Sequence, residues 1–131
     1  MALEDLNNII KQVEELKDSE LLYTWIMDIG KSLSKKRKSN IRDSTNFVNG
    51  CQSQVWITGS CHNDTWFFDF DSDAFIVQGI GGLVLKVFNG QTADQIKNIT
   101  FHDFKPFAQT LSTQRQRGLQ AIINRIHTLV G

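Results

Sequence analysis

Val55-Trp56-Ile57-Thr58-Gly59-Ser60-Cys61-His62-Asn63-Asp64-Thr65-Trp66-Phe67-Phe68-Asp69-Phe70 is the stretch on which the fold of this 131-residue chain turns. Val55, Ile57 and Gly59 alternate with Trp56, Thr58 and Ser60, the period of two that a half-buried strand requires. Thr65 to Phe70 reads as a second strand, and Cys61-His62-Asn63-Asp64 supplies the turn residues of a hairpin between them. The aromatics at Trp66, Phe67, Phe68 and Phe70 suggest cover on both faces of the second strand over part of its length. Two strands cannot stand alone in water, so helices must lie against them.

Helices are legible on both sides. Residues 3 to 17 form an amphipathic pattern with Leu3, Leu6, Ile10, Val13 and Leu16 on one face. Ser19 is placed to cap a second helix that runs to about Leu33, with Leu22, Trp25, Ile26, Ile29 and Leu33 inward. Ser34 to Asn46 is polar, basic and aperiodic, and reads as a loop. Beyond the hairpin, Asp71-Ser72-Asp73 stops the strand and offers oxygens to the free N–H groups of a helix carrying Val77, Ile80, Val84, Val87 and Phe88, which ends at Asn89-Gly90. Gly79, Gly81 and Gly82 are costly inside that helix, which points to close packing, most simply against the hairpin. Thr92 caps a brief helix through Ile96, and Pro106 fits a first turn. A last helix follows Leu111-Ser112-Thr113 to about Val130, with Leu119, Ile122, Ile123, Ile126 and Leu129 in its stripe. The expected fold is a single α+β domain over residues 1–131, with a small antiparallel sheet of two to three strands covered by helices.

Composition narrows the function. The chain is 40 % hydrophobic and 21 % charged, with nine Phe and three Trp, so it builds a core without metal or disulfide. Its 14 basic residues balance 14 acidic ones, which removes the broad positive field of a generic nucleic-acid binder. Lys31, Lys35, Lys36, Arg37, Lys38 and Arg42 do cluster; the simplest reading is a solvated linker, and a patch for an acidic partner is the alternative. The first residues lack the basic-then-apolar order of a secretory peptide, and no apolar run reaches bilayer length, so a cytoplasmic location and no membrane contact are expected. Two cysteines make no disulfide framework.

Cys51 carries the chemistry in this reading. Gly50 before it lets the backbone turn without a Cβ in the way, and Val55-Trp56 anchor the base of the loop. A lone cysteine is most simply a small buried hydrophobe. A thiolate can also accept sulfur, hold it as a persulfide and release it to another thiol.

Gly50-Cys51-Gln52-Ser53-Gln54-Val55-Trp56, then Asp71-Ser72-Asp73-Ala74-Phe75-Ile76-Val77-Gln78-Gly79, Phe88-Asn89-Gly90, and Leu111-Ser112 with Arg115 and Gly118-Leu119, together resemble the SufE family of sulfur acceptors, including its CsdE branch. Asp28-Ile29-Gly30-Lys31 also fits. The resemblance implies an IscU-like fold, with any third strand short and just before Cys51. It implies that Cys51 takes sulfane sulfur from a cysteine desulfurase of the SufS or CsdA type, stimulates that enzyme, and hands the sulfur toward an iron–sulfur assembly scaffold. Pyridoxal phosphate then belongs to the desulfurase, and this chain binds no cofactor beyond the transient persulfide. It is accordingly an accessory transfer protein rather than an independent enzyme, and a homodimer is conceivable.

By the same resemblance the cysteine rests in an apolar hollow, for which Val48, Val55, Ile76 and Ile80 are candidates. Gly50, Gln52, Asp73 and Arg115 are the supporting or interface positions. Asp73 is most simply a helix cap, with control of the Cys51 loop as the alternative. Arg115 stands unfavourably in a first helical turn, and so is expected to pair with a carboxylate or carbonyl, or to serve an interface. The sequence departs from the family in having no proline between Leu33 and Thr45, and in Cys61, which has no counterpart and reads as incidental.

Rival classes are weaker. A cluster or metal scaffold needs about four ligands, and Cys51, Cys61, His62 and Asp64 lack paired-thiolate spacing. A thiol oxidoreductase would want Cys-x-x-Cys. A non-catalytic desulfurase-binding adaptor leaves the match around Cys51 without a reason.

Overall fold

The computed structural model describes residues 2–36 and 40–131. Within them the order is α1 (Ala2–Glu15), α2 (Ser19–Lys36), β1 (Val55–His62), β2 (Thr65–Ser72), α3 (Phe75–Phe88), α4 (Ala93–Asn98), a 3-10 turn over Phe101–Phe104, α5 (Lys105–Ala108) and α6 (Thr113–Leu129). Six helices surround one two-stranded antiparallel sheet, the expected α+β class.

The hairpin forms where the alternation placed it. Val55 pairs with Ser72 and His62 with Thr65, so the turn is Asn63-Asp64 alone. Both residues have positive φ, at 51° and 67°, the paired left-handed conformation whose twist suits two strands joined by two residues. Cys61 and His62 therefore belong to β1 rather than to the turn. Register puts Ile57 opposite Phe70 and Gly59 opposite Phe68, which sets the core face. The outer face is less covered than expected: Phe67 is 46 % exposed. The expected third strand is reduced to a bridge between Phe47 and Trp56, with Val48 N–H donating to Val55 O and Ile57 N–H to Asn46 O, both at 2.8 Å.

α3 is apolar around most of its circumference because it is the central helix, touching α1, α2, α6 and β2. Its seat against α2 is unusually close. A Cβ on Gly30 would stand 1.8 Å from Phe75 O, and one on Gly79 would stand 2.1 Å from Ile26 O. Backbone meets backbone at both points, and no side chain fits between. Gly82 likewise faces Leu33 of α2, and only Gly81 lies on the hairpin, against the Phe70 ring. Hairpin packing thus explains one of the three glycines, and α2 explains the other two.

Helix ends require further corrections. Asp18, not Ser19, caps α2: its Oδ1 accepts from the N–H of Glu20 at 2.7 Å and of Leu21 at 3.4 Å. A carboxylate there meets both the free donors and the positive end of the dipole, which a neutral hydroxyl cannot. α2 continues to Lys36, where basic residues favour the carboxy-terminal dipole, so the expected loop begins later. Arg37 and Lys38 of the basic run lie outside the described residues. In α1, Ile9 is buried with Leu6 and Val13, while Ile10, and Leu16 just past the helix end, are only partly so. Leu3 of the expected stripe lies outside the described side chains.

The carboxy-terminal half follows its sequence. Thr92 and Gln95 form a reciprocal capping box on α4, and Pro106 occupies the first turn of α5. Leu119, Ile122, Ile123 and Ile126 of α6 are all 1 % exposed or less, and Val55 and Ile57 of β1 are fully buried. Each such side chain contributes about 1.5–3 kcal/mol by leaving water.

A candidate sulfur-handling site at Cys51

Cys51 lies on the loop that leads from the Phe47 bridge into β1. The loop turns at Gly50, whose φ of 97° belongs to the left-handed region, and whose missing side chain leaves room for Ala121 of α6: a Cβ would sit 3.3 Å from that methyl. This is the backbone freedom the sequence reading asked of Gly50.

The turn delivers the Cys51 side chain into a hollow between α3 and α6. Ile76, Val77 and Ile80 line one wall, and Gly118, Leu119 and Ile122 line the other; Gln52, Ser53, Ser112, Gln114 and Arg115 make a polar rim. Ile76 and Ile80 thus belong to the hollow, while Val48 and Val55 are core residues beneath the loop. The thiol is half-buried and donates toward Gly118 O, with Sγ at 3.7 Å. The space measures about 110 Å³, well above the roughly 10–15 Å³ that one water needs on the same measure. An added sulfur atom fits without displacing a wall.

Burial pushes the Cys51 thiol up from its ordinary value, and no charged neighbour offsets that effect. At neutral pH the thiol is therefore protonated and a poor nucleophile. The arrangement shelters Cys51 rather than activating it.

The base of the loop is clamped to the end of β2. Asp73 Oδ1 accepts from Gln54 N–H at 3.0 Å, Asp73 N–H donates to Gln54 O at 3.3 Å, and Ser72 Oγ donates to the same oxygen at 2.8 Å. Asp73 does not cap α3; Ala74 is the cap residue and has no side-chain bond there. The alternative reading, that Asp73 holds the Cys51 loop, is the one this geometry supports. Gln52 is exposed at the rim.

Arg115 pairs with no carboxylate among the described residues. Its guanidinium instead lies over the ring of Tyr23, 5.6 Å from the centroid, at the edge of the hollow. An aromatic face compensates a cation partly and leaves its N–H donors available. That replaces the expected carboxylate or carbonyl partner.

Residues 7–130 match the family model of SufE, described as an Fe-S metabolism associated domain. The chain belongs to the SufE family. Its description places the protein in iron–sulfur metabolism. Two SufE-like proteins, both carrying the name uncharacterized, are similar along nearly their whole length. That of Rhizobium meliloti is 35 % identical over 128 residues, covering 92 % of this chain and 91 % of the relative. That of Rhizobium etli is 34 % identical over 133 residues, covering 96 % and 89 %. A solution structure of a hypothetical protein from Thermus thermophilus superposes with a TM-score of 0.76 at 16 % identity, covering 96 % of this chain and 93 % of the other, which speaks for the fold alone.

Around the Cys51 loop of this SufE-family chain, two supporting residues went unread in the sequence. Gln78, 5 % exposed, accepts from Ser72 N–H at 2.9 Å and donates to Phe70 O at 3.2 Å, pinning the strand end that carries the clamp. Arg42 Nε donates to Asp71 Oδ2 at 2.6 Å while the guanidinium covers Trp56, its carbon 4.8 Å from the ring centroid. Asp71 is 1 % exposed, and this bond raises the Arg42 pKa further. Arg42 is therefore an anchor, not part of a solvated linker. Gln78 had one visible signal, a lone amide inside the apolar run Ile76 to Ile80; Arg42 had none.

Cys61 is exposed at the far end of β1. Six residue-to-residue steps of strand, about 20 Å at the usual rise, separate it from Val55 at the Cys51 end. Among the described residues no three His, Cys, Asp or Glu side chains gather as a metal-ligand group, so Cys51, Cys61, His62 and Asp64 do not form one set. No helix among them is long and apolar enough to cross a membrane.

Proposed function

We propose that this protein accepts sulfane sulfur on Cys51 from a cysteine desulfurase of the SufS or CsdA type, and carries it as a persulfide toward iron–sulfur cluster assembly. The supporting observation is the Cys51 thiol itself, turned by Gly50 into a hollow with room for one further sulfur. Family membership adds the metabolic setting.

In the transfer, the Cys51 thiolate attacks the terminal sulfur of the donor's cysteine persulfide. A new S–S bond forms at Cys51 as the donor's own S–S bond breaks, and the donor cysteine departs as a thiolate that takes up the proton Cys51 gave. Two thiol-level species exchange one sulfur with no net oxidation. Docking contributes by aligning three sulfurs, and by drawing Cys51 out of the surroundings that keep it protonated. After transfer, return to the hollow shields the sulfane sulfur from stray thiols and reductants.

The test is to incubate the protein with a cysteine desulfurase and isotopically labelled cysteine, then map sulfur by peptide mass spectrometry under non-reducing conditions. One added sulfur on the Cys51 peptide, absent in Cys51→Ser and retained in Cys61→Ser, is the expected result. Label confined to Cys61 would overturn the site, and label on neither thiol would overturn the function.

A further inference from the structure

We infer that the outer face of α6 beside the Cys51 loop is a docking surface for an acidic segment of the sulfur-donating protein, with Arg117 as its principal contact. The inference rests on the proposed transfer function and names the chemistry of its partner.

Its first ground is charge. The chain as a whole is balanced, yet α6 carries Arg115, Arg117 and Arg125 and not one Asp or Glu. Arg117 and Arg125 border a shallow groove with Asn49, Gly50, Ala121 and Asn124, and its remaining lining is also free of carboxylates. Neither guanidinium is paired with a carboxylate among the described residues. Arg125 has one structural duty, donating to Thr45 O at 2.7 Å, but its Nε is buried with no acceptor. Arg117 is exposed and holds its charge in the open.

Position is the second ground. The groove and the hollow lie on adjoining strips of α6, and one loop serves both: Asn49 and Gly50 border the groove, while Cys51, Gln52 and Ser53 border the hollow. A protein that reaches Cys51 over α6 covers the arginines as well. Carboxylates seated on Arg117 and Arg125 would then bear on the Gly50 turn that holds the thiol inward. The donor is the occupant because it is the partner that meets the sheltered, unloaded thiol seen in this conformation. Opposed charges also raise the encounter rate and fix orientation.

The experiment measures the concentration of a cysteine desulfurase from the same genome that half-saturates persulfide loading of Cys51, at low and high salt. The wild type is compared with Arg117→Glu, and with Lys97→Glu, an equal charge change at an exposed site on α4. Arg117→Glu is expected to raise that concentration about tenfold or more and to flatten its salt dependence, with Lys97→Glu within about twofold of wild type. Equal effects of Arg117→Glu and Lys97→Glu, or none from either, overturn the surface while leaving the transfer function intact. Wild-type protein that never loads overturns the function, and this surface with it. Normal donor loading by Arg117→Glu, combined with impaired delivery to a scaffold, would assign the face to the acceptor and overturn the inference as stated.

Discussion

Asp73 and Gln54 hold each other by two backbone-directed bonds, the carboxylate accepting from the Gln54 N–H at 3.0 Å and the Asp73 N–H donating to the Gln54 carbonyl at 3.3 Å. Gln54 is three residues beyond Cys51, so this pair fixes one end of the thiol loop to the end of β2. Removing the carboxylate leaves one of the two bonds. Asp73→Ala is expected to cost about 1 kcal/mol in a urea titration, since the site is exposed, and to speed iodoacetamide capture of Cys51 in the folded protein. An unchanged capture rate would mean that the loop is held elsewhere.

Alkaline pH should weaken the fold through Cys51. Burial raises its pKa in the folded protein, so the folded form keeps a proton that the unfolded chain releases. The sign follows: the contribution is whole below the unfolded thiol's pKa, and is lost as pH climbs from there through the folded value. Cys51→Ser, which does not titrate in this range, should show a shallower loss of urea midpoint between neutral and alkaline pH than wild type. Parallel curves would argue that the thiol is solvated.

Two glycine-to-alanine changes should have opposite signs. At Gly30 the new methyl would meet Phe75 O at 1.8 Å, backbone against backbone, so α2 and α3 must separate. A loss of about 2 kcal/mol or more is expected even after the gain in helix propensity. At Gly118 the methyl would stand 3.8 Å from Cys51 Sγ, an ordinary contact. There the propensity gain of about 0.8–1.0 kcal/mol should prevail. Thermal unfolding of both variants decides it; stabilisation by Gly30→Ala would contradict the close helix contact.

Gln78→Leu tests the buried amide. The change leaves Phe70 O without its side-chain partner and Ser72 N–H with the Asp71 Oδ1 bond alone, in a buried site, for a loss of about 1–3 kcal/mol. Hydrogen exchange should show opening at the β2 end and the Cys51 loop before the rest of the sheet. Uniform loss of protection would mean that Gln78 supports the whole core rather than this clamp.

What could be read from the residues alone was what lies within one turn or one strand. The hairpin declared itself through the alternation from Val55 and through Asn63-Asp64, and α6 through the spacing of Leu119, Ile122, Ile123 and Ile126. Cys51 and its Gly50 turn were legible because the motif is contiguous. Contacts joining distant segments were not. Asp73 looks like a helix cap until the partner at Gln54 is seen, nineteen positions away. Arg42 reads as one more cation in a basic run, although Asp71 awaits it twenty-nine positions on. The glycines of α3 signalled closeness without naming the neighbour, which was α2 more than the hairpin. Tyr23 gave no sign that it would lie beneath Arg115.

The flanks of the hairpin have one more consequence. Ile57 N–H already donates to Asn46, Trp66 N–H to Gln91, and Phe68 N–H to the Asn89 side chain. At these positions the sheet's outward donors are occupied on both margins, so a visitor cannot join there by adding a strand of its own. Recognition near the thiol is left to side chains and loop backbone, so a partner bound there could depart without unzipping a ladder.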